Sequence, residues 1–235
     1  MLHFSEIDST NTYALNNLSN LKDKQVITAD TQTNGRGRFN RKWASDMTEN
    51  LYFSIILKNN LRNYILMNIT QYLSVAICDA FKKIFVSPKI KWSNDILINN
   101  KKIGGILAES SFKENNFSGI VLGCGLNINM NSIQANKIDQ PATSLWIEIA
   151  KTYDPKQILE LVLNEFFEEY DEFIEYGFSF IRARYKKYLS LNKGDKVTLK
   201  YSNDIIKGEY IDIANNGSLV VDINGIEKEI CSGEI

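Results

Sequence analysis

Apolar residues recur at helical spacing across residues 63–85, at Ile65, Ile69, Leu73, Ile77 and Phe81, and this pattern predicts a core helix. A second helical pattern runs over about 155–176, with Leu159, Val162, Phe166, Tyr170 and Phe173 on its inner face, and "TSLWIEIA" (143–150) leads into it. "DSTNTYALNNL" (8–18) offers several helix caps ahead of Ala14, Leu15 and Leu18, which share a face. The strand signals are different. "KQVITAD" (24–30) and the continuous apolar run "NLYFSIIL" (50–57) predict strands, the latter buried. "KIKWSNDILI" (89–98) and "KIGGILAESSF" (102–112) predict two more, joined through a turn at Asn99, Asn100 and Lys101. "GIVLGCGLNI" (119–128) follows "KENN" as another strand. Helices mixed with a hairpin-containing sheet predict an α+β fold, its sheet mixed or antiparallel, with helices on one face.

From about residue 191 the texture changes to short alternating strands, "GDKVTLKY", "IIKGEYIDI", "GSLVVDI" and "IEKEI". They are separated by turns at Ser202-Asn203-Asp204, Asn215-Asn216-Gly217 and Asn224-Gly225. Some 45 residues supply little core of their own, so this module is expected to pack on the main body.

Composition narrows the chemistry. Lys plus Arg number 27 against 28 for Asp plus Glu, so any anion site must be local. The 235 residues contain one histidine, His3, remote in sequence from every cluster below, which argues against Ser-His-Asp, Cys-His and multi-histidine metal chemistry. Cys78, Cys124 and Cys231 are odd in number and widely spaced, and read as ordinary buried thiols. Neither a signal peptide nor a membrane-spanning run is evident, and the expected location is the cytoplasm, with no membrane partner. The acidic run Glu165, Glu168, Glu169, Asp171, Glu172 and Glu175 reads as a solvated helix face.

Three clusters suit chemistry run by fixed charge. "QTNGRGRFNRKW" (32–43) crowds Arg36, Arg38, Arg41 and Lys42 around Gly35 and Gly37 and ends on Trp43. Guanidinium groups grip phosphate or carboxylate in bidentate fashion, and glycines let backbone amides approach the same oxygens. The same loop also reads as an Arg-Gly segment that binds nucleic acid nonspecifically. "KWSNDILINNKKIGGILAE" (91–109) sets Asn94 and Asp95 on one strand and Lys102, Gly104 and Gly105 on its hairpin partner. There Asp95 suits Mg²⁺ beside a nucleotide and Lys102 supplies a point charge; the Gly pair suits either a ligand lying on bare backbone or a β-bulge. In "GCGLN", Gly123 and Gly125 leave one strand face bare, for a ligand or for tight packing, and Asn127 follows. No P-loop and no dinucleotide GxGxxG opening a helix is present.

Taken together and in order, the motifs resemble those of the biotin protein ligases (biotin–[acetyl-CoA-carboxylase] ligases). They are "DSTN" (8–11), "ADTQTNGRGRFNRKW" (29–43), "NLYFSI" (50–55), "KWSNDI" (91–96), "KKIGGILAE" (101–109), "GCGLNIN" (123–129) and the closing "SGEI". Two positions depart from the pattern: Ser93 stands where the family usually has proline, and Arg38-Phe39-Asn40-Arg41 where it often has "RRGR". The resemblance implies a class II synthetase-like catalytic domain over 1–189 and an SH3-like β barrel over 190–235. It implies joining of biotin to ATP as biotinyl-5'-AMP, then transfer to a lysine of a biotin carboxyl carrier protein, such as that of acetyl-CoA carboxylase. By carry-over, Ser9, Thr10, Asn11 and Gln32 hold the biotin ring, while Arg36, Gly37, Arg38, Gly104 and Gly105 surround its carboxylate and the adenylate. Lys102 bridges carboxylate and α-phosphate, so Lys102, Arg36 and Arg38 are the catalytic residues. Arg38, Arg41, Trp43, Asn94, Asp95 and Asn127 serve ATP, and Asp95 serves its Mg²⁺.

Because the match begins near residue 8, the resemblance is to a monofunctional ligase without operator DNA binding, and a homodimer through an exposed sheet edge is possible. Three other readings stay open on sequence: a lipoate ligase, a nucleic-acid module using the Arg-Gly loop, and a biotin sensor without transfer activity.

Overall fold

A computed structural model describes residues 1–58, 65–113, 116–201 and 204–235. Its backbone is a seven-stranded sheet in the order β1-β2-β3-β7-β6-β5-β4. The strands are β1 (Leu2–Ile7), β2 (Val26–Gln32), β3 (Leu51–Leu57), β4 (Lys89–Lys91), β5 (Asp95–Ile98), β6 (Lys101–Lys113) and β7 (Asn116–Leu126). Only β1 and β2 pair in parallel; the remaining pairs are antiparallel, which makes the sheet mixed.

All seven residues of β3 are buried, because both faces of this central strand are covered. On one face Leu51, Phe53, Ile55 and Leu57 meet α2 (Ile65–Lys83), α5 (Pro155–Glu168), α6 (Tyr170–Tyr176) and α7 (Phe178–Tyr188) in the main core. Truncating a side chain such as Phe53 to Ala there should cost about 3–5 kcal/mol. The expected helix-covered face is this one. The short α1 (Thr10–Asn16) lies on the other, where Ala14 and Leu18 pack on Ile27, Ile56 and Val121, and two further short helices, α3 (Ser132–Ala135) and α4 (Leu145–Ile149), follow β7.

Several elements depart from the sequence pattern. The helix expected over 155–176 breaks at Glu169, whose φ of −118° is not helical, and the break lets Phe173 stack on Tyr72 with ring centroids 4.2 Å apart. α7, which carries buried Ile181 and Tyr185, was hidden by its many charges. β1 was hidden by its alternation, too polar to stand out beside the central runs. "KIKWSNDILI" is interrupted at Trp92–Asn94, where the Trp92–Ser93 peptide is cis, and so forms β4 and β5. The predicted turn holds, with Asn99 and Asn100 both at positive φ, as a tight hairpin requires. The acidic run is not wholly solvated: Glu165 pairs with Lys83 and Glu169 with Arg184. Residues 63 and 64 of the expected α2 and the expected turn at Ser202-Asn203 lie outside the described residues.

The closing module is an antiparallel four-stranded sheet, β8 (Lys196–Tyr201), β9 (Asp204–Ile213), β10 (Leu219–Ile223) and β11 (Ile226–Ile230). It docks through directed bonds. Asn68 Nδ2 donates to Asn216 O at 2.8 Å, Gln71 Nε2 to Gly217 O at 2.9 Å, and Trp92 Nε1 to Gly217 O at 3.2 Å. From α7, Arg182 and Lys186 both grip Asp212. Among the described residues no helix is long and apolar enough to cross a membrane.

Candidate active site

Strand register builds the floor of a cleft. Tyr52 of β3, Gly125 of β7, Gly105 of β6 and Asp95 of β5 lie side by side across four strands, and Ser54, Gly123 and Leu107 form the next row on that face. The two rows carry glycine where a side chain would obstruct. A Cβ on Gly125 would stand 2.4 Å from Trp43 Nε1, and one on Gly123 would stand 2.0 Å from Asn11 Oδ1. β6 carries one extra residue against β5, since Ile96 pairs with Gly104 while Leu97 pairs with Lys102. This bulge puts Ile103 and Gly104 both on the core side, so Lys102 shares the cleft face with Gly105 despite their odd separation. The cleft spans about 910 Å³, part of it open to solvent.

At one end lie the groups expected to hold a ring. Ser9 caps α1, its Oγ accepting from Thr12 N, and so faces the cleft at the start of the helix. Thr10 N donates to Gln32 Oε1 at 2.9 Å. Ser54, wholly buried, lies 2.8 Å from Thr10 Oγ1 and 2.6 Å from Asn11 Oδ1.

Above this floor the cationic loop closes on itself. Arg36 and Lys42 form a bridge, Gly37 N donates to Arg41 O at 2.8 Å, and Trp43 N donates to Gly35 O at 3.0 Å. Arg36, Arg38, Arg41 and Lys102 each have a fixed partner. Arg36 Nη2 meets Glu109 Oε1 at 2.8 Å. Arg38 donates to Asn94 Oδ1 at 2.7 Å and to Ser93 Oγ at 2.9 Å, both neutral acceptors, and burial lowers its pKa from the usual arginine value. Arg41 clasps Glu234 through two bonds of 2.5 Å, and that bond raises its pKa. Lys102 Nζ sits 2.8 Å from Asp95 Oδ2 and 5.4 Å from the centre of the Trp43 ring. Among the described residues, Trp43 Nε1 is the buried side-chain polar atom without a hydrogen-bond partner.

Of the residues singled out from sequence, the cleft brings together Ser9, Thr10, Asn11, Gln32, Arg36, Gly37, Arg38, Arg41, Trp43, Asn94, Asp95, Lys102 and Gly105. Gly104 is not among them: it faces the core, where a Cβ would stand 2.4 Å from Leu126 Cδ2. Nor does Asn127 line the cleft. Its Nδ2 holds Thr143 O at 3.0 Å, and Thr143 N in turn bonds Lys102 O, so Asn127 braces the segment that clasps the Lys102 backbone. The described residues hold no cluster of three or more His, Cys, Asp or Glu suited to a metal; Asp95 is paired with Lys102, and Glu234 is the other carboxylate lining the cleft. Sequence reasoning assigned nothing to Glu109, Ser54 or Glu234, although Glu109 closes "KKIGGILAE" and Glu234 lies in "SGEI".

Known proteins resemble this chain in sequence and fold. The profile of the Biotin/lipoate A/B protein ligase family matches residues 4–127. The bifunctional ligase/repressor BirA of Bacillus subtilis is 28% identical over 219 residues, spanning 92% of this chain and 67% of that protein. A biotin–[acetyl-CoA-carboxylase] ligase of Paracoccus denitrificans is 29% identical over 182 residues, 74% of this chain and 75% of its own. Among solved structures, the biotin protein ligase of Aquifex aeolicus in complex with biotin and ATP superposes with a TM-score of 0.86 at 28% identity, covering 99% of this chain and 96% of that one. The matched family profile spans more than half of this sequence and includes Ser9, Thr10, Asn11, Gln32 and the cationic loop, and the chain belongs to the Biotin/lipoate A/B protein ligase family.

Proposed function

We propose that the protein is a biotin protein ligase that activates biotin with ATP and transfers it to a lysine of a biotin carboxyl carrier protein. The observation that carries this reading is convergence: Lys102, Arg36 and Arg38 line the same cleft as Ser9, Thr10, Asn11 and Gln32. In the first half-reaction a biotin carboxylate oxygen attacks the α-phosphorus and pyrophosphate leaves, giving biotinyl-5'-AMP. Both reactants are anions. Preorganised cations offset their repulsion as charge builds, each typically contributing about 10²- to 10³-fold in rate. In the second, the neutral amine of an acceptor lysine attacks the acyl carbon and AMP leaves with the bonding pair.

The polar end at Ser9, Thr10, Asn11 and Gln32 suits the ureido ring, and the bare strip at Gly123 and Gly125 suits the aliphatic tail. Lys102 stands where carboxylate and α-phosphate would meet, while Trp43 and Arg41 border the nucleotide side. We assign the cleft to residues 1–189 as catalytic domain, with Glu234 contributed by a small domain over 190–235. Asp95 fits Mg²⁺ as a single carboxylate acting with substrate phosphates, where the ion would offset phosphate charge.

Mass spectrometry of a biotin carrier domain after incubation with the protein, biotin and MgATP tests the reading; one added biotinyl group on one lysine is expected. Pyrophosphate exchange that depends on lipoate and not on biotin would overturn it.

A further inference from the structure

The ring-binding end is backed by two side chains that do not line the cleft. Ser54 is fully buried on β3, and Glu109 stands on β6 beside Asn11. Counting protons gives their contacts a direction. Asn11 Nδ2 lies 3.0 Å from Glu109 Oε2 and 3.3 Å from Leu107 O, both of which only accept, so this end of the amide is the NH₂ group and Oδ1 only accepts. Ser54 Oγ, at 2.6 Å, therefore gives its single proton to Asn11. In the 2.8 Å contact between Ser54 and Thr10 the donor must then be the Thr10 hydroxyl. Its alternative acceptor, Gln32 Oε1, is farther away at 3.2 Å and already receives Thr10 N at 2.9 Å. The series runs one way, from Thr10 to Ser54 to Asn11 to Glu109, and Arg36 of the cationic loop closes on the same carboxylate from the other side.

Resting on the biotin-ligase reading, we propose that Ser54 and Glu109 are positioning residues that set what the ring-binding end accepts and couple it to the loop. Ser54 takes up the Thr10 proton, so Thr10 meets a ligand with lone pairs only and selects a ring that offers N–H. Glu109 fixes the Asn11 amide and holds Arg36 in register with it. The bare backbone at Gly123 belongs to the same device, since any Cβ there would displace the Asn11 amide.

The test compares the wild-type protein with Ser54→Ala, Glu109→Gln and the double variant, using calorimetric titration with biotin alone and biotin-dependent pyrophosphate exchange. Ser54→Ala should weaken biotin binding and raise the biotin KM by about 10-fold, with kcat changed less than about twofold, the pattern of a lost binding contact. Glu109→Gln offers one acceptor where two donors converge, and should raise the biotin KM by about 10-fold and lower kcat as well, because Arg36 loosens. Acting through one amide, the two changes together should cost clearly less than the product of the single effects. Wild-type biotin affinity in either variant, or a fully multiplicative double variant, overturns the proposal. Should Ser54→Ala melt below the assay temperature, Glu109→Gln decides alone, since its side chain is 21% exposed and no core has to be refilled. A wild-type protein that neither binds biotin nor exchanges pyrophosphate with it refutes the functional reading itself, whereas an active wild type with unchanged variants refutes this inference only.

Discussion

Lys102 Nζ and Asp95 Oδ2 lie 2.8 Å apart at the head of the glycine floor, and each side chain is only 18% exposed. Opposite charges sheltered this way hold each other in place, so the ammonium is aimed before a substrate arrives. Lys102 does not reach this position by strand alternation alone. The bulge at Ile103 turns Lys102 onto the face that Asp95 already occupies.

Replacing Lys102 by Ala should lower the rate of biotin adenylation by about 10²- to 10³-fold. The lost group acts on developing charge, so the biotin dissociation constant should move much less. Pyrophosphate exchange beside calorimetric titration measures both, and an unchanged exchange rate removes Lys102 from the reaction.

Gly125→Ala should displace the Trp43 indole, since the new Cβ would stand 2.4 Å from its Nε1. Overpacking of this kind typically costs about 1–3 kcal/mol. A red shift in tryptophan emission that is absent when the substitution is made in a Trp43→Phe background reports the movement. A crystal structure of Gly125→Ala with the indole unmoved would refute it.

Acidification should weaken the clasp between the loop and the small module. Burial pushes the Glu234 carboxyl up, but the bond to Arg41 and its charge outweigh this and leave it below its ordinary 4.5. A carboxyl depressed in the folded state adds stability above its unfolded value and loses it as pH falls through the folded one. Glu234→Gln should therefore lower stability at pH 7, by less than about 1 kcal/mol because Arg41 is 56% exposed. The gap between variant and wild type in urea melts should close progressively below pH 4.5. A gap independent of pH would refute the assignment.

The thiols should separate by reactivity. Cys78 and Cys124 are buried as expected, and burial pushes both well above the usual cysteine range, whereas Cys231, expected to be buried, is exposed just beyond the last strand of the small module. One of the three should react with a thiol-specific chromogenic disulfide in the native protein, and all three after denaturation. Prompt native reaction of Cys124 would mean that β7 opens readily.

Periodicity revealed the buried elements best. β3 and α2 carry runs of apolar side chains that nothing but a core accommodates, so their patterns survive translation into structure. α7 and β1 escaped because their inward residues are few and diluted by charge, as at Arg182, Arg184, Lys186 and Lys187. At the cleft, the cationic loop stood out by type, whereas Ser9, Thr10, Asn11 and Gln32 read by type only as caps and polar loop residues and were singled out through the family resemblance. Ser54 and Glu109 stood out in neither way, because a buried serine and a strand glutamate acquire meaning only when three-dimensional pairing sets them around Asn11. Asn127 shows the converse: its residue type suits a nucleobase edge, and its Nδ2 bonds Thr143 O instead of lining the cleft.

The cleft draws on Ser9 near one end of the sequence and on Glu234 near the other. Contacts so distant along the chain close a long loop, so the cleft is complete only when the small module is docked on the large sheet. A folding intermediate with that sheet in place and the small module still undocked would lack the Glu234 anchor for Arg41. The clasped form of the cationic loop would then arrive only with docking, so the shape of one wall of the cleft is set by a residue from the far end of the chain.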